Sequence, residues 1–408
     1  MALRPFDIPP LDTAAEAAAR ARQDRLTKPP GSLGALEEIA CRMAAIQGRS
    51  RPVVRKKWTI IAAADHGVTA EGVSPYPPDV TAQMVANFLS GGAAINVLAE
   101  AAGAEIVIVD CGVRADTPGD ATHLRRLGRL HGSANMALGP AMPRAEAERL
   151  IGAGADVSHE LARKGADIIV TGDMGIGNTT AAAALTAVFT GRRPTEVTGR
   201  GTGLDDIGLR RKVQVIERAL AVNRPDAADP VGALAGVGGL EIAFLAGVIL
   251  GAAERRTAVA LDGFISGAAA LVAQAIARRV TDYCFACHLS AEPGHRVALE
   301  TLRLKPLLDL QMRLGEGTGA ALGVQVVEAA VRLHNEMATF EEAGVSARES
   351  EETARASPAP AGPASPVPTS GGYSSPNGRG VTPKPPSPAT ASRGHPSPKG
   401  RGQREARR

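Results

Sequence analysis

From Trp58 onward, short apolar runs that end in Gly or Asp alternate with longer Ala-rich stretches of helical character. The runs occupy residues 58–64, 105–109, 166–171, 257–261 and 283–288. Each has the length of a strand buried on both faces, and the helical spacers can return the chain for a parallel partner. The alternation predicts an α/β fold, a parallel sheet flanked by helices on both faces. In such sheets ligands bind beyond the carboxyl ends of the strands. The residues that follow each run are therefore the candidate site.

Ahead of the sheet, residues 13–26 read as a helix that stops at Lys28-Pro29-Pro30-Gly31-Ser32. Ser32 is the expected cap of a second helix over 33–46. Aromatic residues make up only 3% of the chain, so the core must be close-packed Ala, Val, Leu and Ile, with Gly where elements approach. From about Ser346 the composition turns to Pro, Ser, Gly, Ala and Arg, which predicts a disordered, solvated basic tail over 346–408. Residues 353–408 hold nine Lys/Arg against one acidic residue, +8, so the formal +4 of the whole chain leaves −4 for the rest. A mildly acidic body gives no case for nucleic-acid binding. No secretory signal pattern and no apolar run long enough to span a bilayer are apparent, so no membrane association is expected. The four cysteines sit in apolar contexts and read as reduced thiols of a cytoplasmic protein.

The strongest local signal is Thr171-Gly172-Asp173-Met174-Gly175-Ile176-Gly177-Asn178-Thr179-Thr180, between a strand-like run and an Ala-rich helix. Glycines let backbone amides approach an anion, and hydroxyls and a helix N-terminus add donors. The spacing resembles a nucleotide-binding loop, but Asn178 stands where the lysine of such loops would be, which favours a phosphate monoester over a triphosphate. A tight, capped strand-to-helix turn is the alternative. A second turn, Thr198-Gly199-Arg200-Gly201-Thr202-Gly203, precedes a helix with Arg210, Arg211 and Lys212, either phosphate-binding cations or a solvated helix face. In Leu314-Gly315-Glu316-Gly317-Thr318-Gly319-Ala320, the carboxyl of Glu316 is a general base if enclosed, or else a helix-capping charge. After the first run come Asp65-His66, read as tying down a strand end, and then a rigid loop with Ser74 and Tyr76. Gln83 and Met84, one turn into the next helix, are placed to flank a flat heteroaromatic ring. Cys284-Phe285-Ala286-Cys287-His288 matches a haem-attachment spacing, yet it is apolar and reads as a buried strand. His288, Glu292 and His295 fall near the cleft or are structural. No metal or cofactor is expected.

Taken in order, these segments resemble the nicotinate-nucleotide–dimethylbenzimidazole phosphoribosyltransferase family. The resemblance rests on Lys28-Pro29-Pro30-Gly31-Ser32-Leu33-Gly34, Ala64-Asp65-His66-Gly67-Val68, Gln83-Met84-Val85-Ala86-Asn87-Phe88 and the Gly turn before Ala93, Ile95 and Asn96. It continues through residues 174–180, Gly201-Thr202-Gly203, Leu261-Asp262-Gly263-Phe264 and Gly315-Glu316-Gly317-Thr318-Gly319. It implies a Rossmann-like sheet over about 55–300, a small helical part from about 1–50 and 301–345, and a homodimer. It implies transfer of the phosphoribosyl group of nicotinate mononucleotide to 5,6-dimethylbenzimidazole, with Glu316 as base and Asp173 as a secondary acidic group. The family usually has glutamate at the position of Asp173. By this resemblance Gly175, Gly177, Asn178, Thr179, Thr180, Gly201, Thr202, Gly203 and Lys212 hold the phosphoribosyl and nicotinate parts. Ser74, Tyr76, Gln83, Met84 and Leu314 hold the base. Transfer to another base, a non-catalytic relative with a decayed site, and a kinase-like hydrolase are the other readings; the missing loop lysine disfavours the last.

Overall fold

Two helices open the chain, α1 (Thr13–Arg25) and α2 (Ala35–Gln47). Asp12 caps α1 by accepting the Ala15 amide. Ser32 does not cap α2. Its amide bonds to Pro29 in a turn, a second turn closes from Gly34 to Gly31, and helical dihedrals begin only after Gly34. The computed structural model describes residues 3–116 and 124–346. The expected disordered tail beyond Ser346 lies outside them.

The sheet then begins with β1 (Lys57–Ala64), followed by α3 (Val80–Leu89), α4 (Ala94–Ala101), β2 (Ala104–Gly112) and β3 (Leu124–Arg126). The chain continues through α5 (Arg144–Arg163), β4 (Ile168–Met174), α6 (Asn178–Thr190), the short α7 (Pro194–Val197), α8 (Asp206–Asn223), α9 (Pro230–Val237) and α10 (Leu240–Glu254). Then come β5 (Ala258–Leu261), α11 (Phe264–Ile276), β6 (Cys284–Ala286), α12 (Pro293–Leu302), α13 (Thr318–Glu336) and α14 (Phe340–Ala343). All pairings are parallel, in the order β3-β2-β1-β4-β5-β6, the arrangement of a dinucleotide-binding sheet. The five runs read from the sequence supply five of these strands. The last is shorter than its run, because Tyr283 ends a 3₁₀ turn.

Alternation along β1 explains how both faces are filled. Ile61 and Ala63 enter a cluster with Val85, Phe88, Ile95 and Ala321 from α3, α4 and α13, while Ile60, Ala62 and Ala64 enter the larger core containing α5 and α10 residues. The small-residue composition has its consequence in the α5–α10 crossing. A Cβ on Gly247 would sit 1.9 Å from the Ile151 carbonyl, and one on Gly154 2.1 Å from that of Phe244. Backbones this close replace the contact area that aromatic side chains would otherwise provide.

At the other face, α13 packs on α2 as well as on the sheet, and Arg22 of α1 donates to the His334 and Met337 carbonyls at its end. The stretch Val80–Ala101 corrects the expectation about apolar length, since by composition and count its 22 residues reach the span of a bilayer. The chain breaks at Ser90-Gly91-Gly92 into α3 and α4, of 10 and 8 residues, each too short to cross one.

Candidate active site

Because the chain starts in the middle of the sheet and returns beside its own first strand, the switch point lies between β1 and β4. Ala63 of β1 is in register with Met174 of β4. The two loops leaving those strands are thus forced side by side. Asp65 accepts the Arg114 amide at 2.8 Å, and His66 Nε2 lies 2.8 Å from the carboxylate of Glu241, both groups buried. The His66 ring packs against Gly175, where an added Cβ would meet it at 3.3 Å and the Ala64 carbonyl at 2.5 Å. His66 and Asp65 do tie down the strand end, and through it they shape the loop after β4.

That loop is a smaller anion cradle than its glycines suggest. The Ile176 amide donates to Thr81 Oγ1, and those of Asn178 and Thr180 to the Gly175 and Gly177 carbonyls. Gly177, with φ of 94°, is the left-handed residue that lets α6 start at Asn178. Asn178 supplies no cation. Its amide nitrogen donates to Asp173 Oδ2 at 3.0 Å. Asp173 is otherwise enclosed, with Oδ1 unpartnered, and burial, then Asp262 and Glu241, push its pKa well above the ordinary carboxylate range.

The second Gly turn closes over a buried ammonium. Arg210 and Arg211 face solvent, but Lys212 is fully buried and donates to Thr179 Oγ1 (2.7 Å) and the Gly199 carbonyl (3.3 Å). Burial lowers its pKa to about 8 against the opposing pull of Glu292. The solvated-face alternative is thus wrong for Lys212 alone. Glu292 accepts the Gly201 amide at 2.9 Å, and Arg313 donates to the Gly201 carbonyl at 2.9 Å. Ser74 Oγ comes within 3.4 Å of Thr202 Oγ1, which joins the rigid loop after β1 to this turn.

Glu316 lies directly over the end of β4. Its amide donates to the Asp173 carbonyl at 3.2 Å, and the turn rests on Gly172, whose missing Cβ would be 2.4 Å from the Glu316 carbonyl. Its carboxyl is buried, with Oε2 unpartnered. Burial and then Asp262 raise its pKa to about 7, the Ile95 amide pulling partly back. A carboxyl that ionises near neutrality, enclosed and without a partner on one oxygen, has the properties of a general base.

The structure thus brings Asp173, Gly175, Gly177, Asn178, Thr179, Thr180 and Glu316 to one end of the sheet, with Gly201, Thr202, Gly203 and Lys212 linked to them through Thr179. Around them, Met84 is half-buried against the α3–α4 cluster, while Gln83 is exposed and Tyr76 and Leu314 are 51% and 57% exposed. Sequence reading did not single out Asp262, Glu241 or Arg313 as site residues. Asp262 accepts the Gly317 and Ala320 amides, and His288 Nε2 lies 3.5 Å from it. His295 is held neutral, burial and His288 lowering its pKa to about 3. Cys284 and Cys287 are buried free thiols, the former pushed up to about 12 by burial, as suits a strand at this position. Among the described residues no cluster of side chains has the make-up of a metal site.

A family model described as phosphoribosyltransferase matches residues 8–345. A nicotinate-nucleotide–dimethylbenzimidazole phosphoribosyltransferase of Desulforudis audaxviator is 56% identical over 339 residues, covering 83% of this chain and 96% of that protein. One from Chloroflexus aggregans is 54% identical over 341 residues, with 83% and 96% covered. The crystal structure of the Thermus thermophilus enzyme of the same name superposes with a TM-score of 0.78 at 50% identity, over 83% of this chain and all of that one.

Proposed function

The chain belongs to the nicotinate-nucleotide–dimethylbenzimidazole phosphoribosyltransferase family, and on that premise we propose that Glu316 is the base of its reaction. That reaction transfers the phosphoribosyl group of nicotinate mononucleotide to 5,6-dimethylbenzimidazole, giving α-ribazole 5'-phosphate and nicotinate, for the lower ligand of cobalamin. The observation that carries the role of Glu316 is its enclosed carboxyl at the switch point, with Oε2 unpartnered and ionising near neutrality.

In this reading Glu316 removes the proton from one benzimidazole nitrogen while the other forms its bond to the anomeric carbon. The bond from that carbon to the nicotinate nitrogen breaks, and its electron pair neutralises the pyridinium. Attack from the opposite face turns the β configuration into α. The nucleotide already carries its charge on the leaving group, so the protein has to align two rings and take one proton.

Lys212, Thr179, Thr180 and the two Gly turns hold the phosphate. The rest of the 174–180 loop, with Asn178 fixing Asp173, sits under the ribose and nicotinate. Asp173, whose neutral form burial, Asp262 and Glu241 favour, is the secondary acidic group of the site. Ser74, Tyr76, Gln83, Met84 and Leu314 line the base. Tyr76, Gln83 and Leu314 are exposed and Ser74 and Met84 half-buried, which leaves their polar and apolar surfaces available to an incoming flat ring.

The helical part made by α1, α2 and α13 is read as the small domain beside the large α/β part. A homodimer is supported by apolar side chains left outside, such as Val97 on α4, 63% exposed. A cytoplasmic location is supported by the four buried free thiols. The test is a product assay with both substrates beside Glu316→Ala. Release of α-ribazole phosphate by the wild type and loss of most turnover in the variant are expected. Unchanged turnover in the variant removes Glu316 from its role.

A further inference from the structure

Helix α13 begins without a cap of its own. Its N-cap is Gly317, which has no side chain, and the residue before it, Glu316, is held at φ of +64°, an unfavourable conformation for a non-glycine residue. The missing acceptor comes from a different strand. Asp262 follows β5 directly and is fully buried. Its Oδ2 accepts the Gly317 amide at 3.1 Å and its Oδ1 the Ala320 amide at 2.9 Å. One carboxylate thus bridges the N-cap and third residue of the helix, the two donors a local capping side chain could not satisfy together.

We infer that Asp262 is a positioning residue for Glu316, a cap borrowed from β5 that locks the 315–317 turn over Gly172 so that the Glu316 carboxyl faces the ring it deprotonates. The inference rests on the reading of Glu316 as base and extends it to a residue that touches neither substrate. Two bonds to α13 and the contact with Gly172 leave the turn little freedom to relax.

The same placement gives Asp262 an electrostatic effect. Burial, then Asp262, raise the pKa of Glu316, and Asp262 is also the first charged neighbour raising Asp173. The groups facing this turn are Asp173 from β4, Asp262 from β5, His288 beyond β6 and the Ile95 amide of α4, with Glu241 of α10 acting on Asp173. Among the described residues, no lysine or arginine is one of the groups that set the Glu316 pKa.

The experiment compares Asp262→Asn with wild type, each also in an Asp173→Asn background so that the limb read belongs to Glu316. Turnover against pH, KM for nicotinate mononucleotide and Tm are measured. Asp262→Ser, with one acceptor and no charge, carries the comparison if the Asn NH₂ group clashes with the two amide donors and the fold is lost. The acid limb of kcat is expected to move about one unit toward lower pH, as a buried like charge is removed. Plateau kcat is expected to fall roughly 10- to 100-fold, with KM changed by less than about threefold. A lower Tm with the acid limb and kcat unmoved makes Asp262 a structural cap only and overturns the inference. Glu316→Gln, assayed alongside, isolates the premise. If it retains turnover, the base reading fails and this inference fails with it. If it is inactive while the Asp262 variants keep the wild-type profile, only the inference falls.

Discussion

Gly172→Ala tests how tightly the Glu316 turn is seated. The residue is mid-strand in β4, where alanine has no backbone penalty, so the effect comes from space alone. Its Cβ would meet the Glu316 carbonyl oxygen at 2.4 Å, the Glu316 carbonyl carbon at 2.7 Å and the Gly317 nitrogen at 2.9 Å. These are backbone atoms, and ordinary contact begins at 3.4 Å, so the turn must retreat by about 1 Å. Retreat strains the Asp173–Glu316 backbone bond and both bonds to Asp262. A displacement of that size at a catalytic group costs about 100-fold in kcat, and overpacking costs about 1–3 kcal/mol of stability. The assay is steady-state formation of α-ribazole phosphate, with Tm alongside. Gly152→Ala is the control. It lies on α5 with nothing within 4 Å of the added methyl, and it should keep activity and gain roughly 0.5–1 kcal/mol. A Gly172→Ala enzyme within about threefold of wild-type kcat refutes the reasoning, because the turn would then move without consequence.

Three further outcomes follow from the charges. With Glu316 ionising at about 7, turnover should fall about tenfold per pH unit below that point and level off above it; a flat profile from about pH 5 to 8 contradicts its role as base. Asp173 is a carboxyl with a raised folded-state pKa, so its contribution to stability is complete in acid and lost as pH rises above the ordinary carboxylate range. Asp173→Asn does not titrate, so its Tm relative to wild type should rise as pH climbs above the ordinary carboxylate range, and a constant difference refutes the burial argument. Lys212→Met should raise KM for nicotinate mononucleotide by about tenfold or more with a small change in Tm, since an apolar chain replaces a buried ammonium; an unchanged KM removes Lys212 from the phosphate site.

The strands were readable because each is an apolar run buried on both faces, a pattern local sequence carries. β3 was not, since Leu124-Arg125-Arg126 is a three-residue edge strand with polar neighbours. The Gly turns were readable as anion sites, but not which of their amides are already bonded inside the fold, because Thr81 and Glu292 reach them from distant segments. The burial of Lys212 did have a signal. Together with Val215, Ile216 and Ala219 it falls at i, i+3, i+4 and i+7, on the inner stripe of α8, whereas Arg210 and Arg211 fall outside it. Glu241 also carries a signal that could have found it, a charge near the start of an otherwise apolar stretch from Leu240 to Ala253. Arg313 and the capping role of Asp262 depend on contacts with Gly201 and α13 that no local pattern announces.

The placement of α13 has a consequence for how the protein is made. Helix α2 buries Ile39, Met43, Ala44 and Ile46, and α13 is among the helices that cover it, while the residue just before the N-cap of α13 is Glu316. A ribosome releases α2 about 290 residues before the end of α13, which at common synthesis rates is a delay of roughly 15 to 60 s. Throughout that interval the nascent chain carries an incompletely covered apolar helix and lacks the carboxyl proposed as its base. On that proposal activity arrives late, and demand for holding chaperones should peak before it.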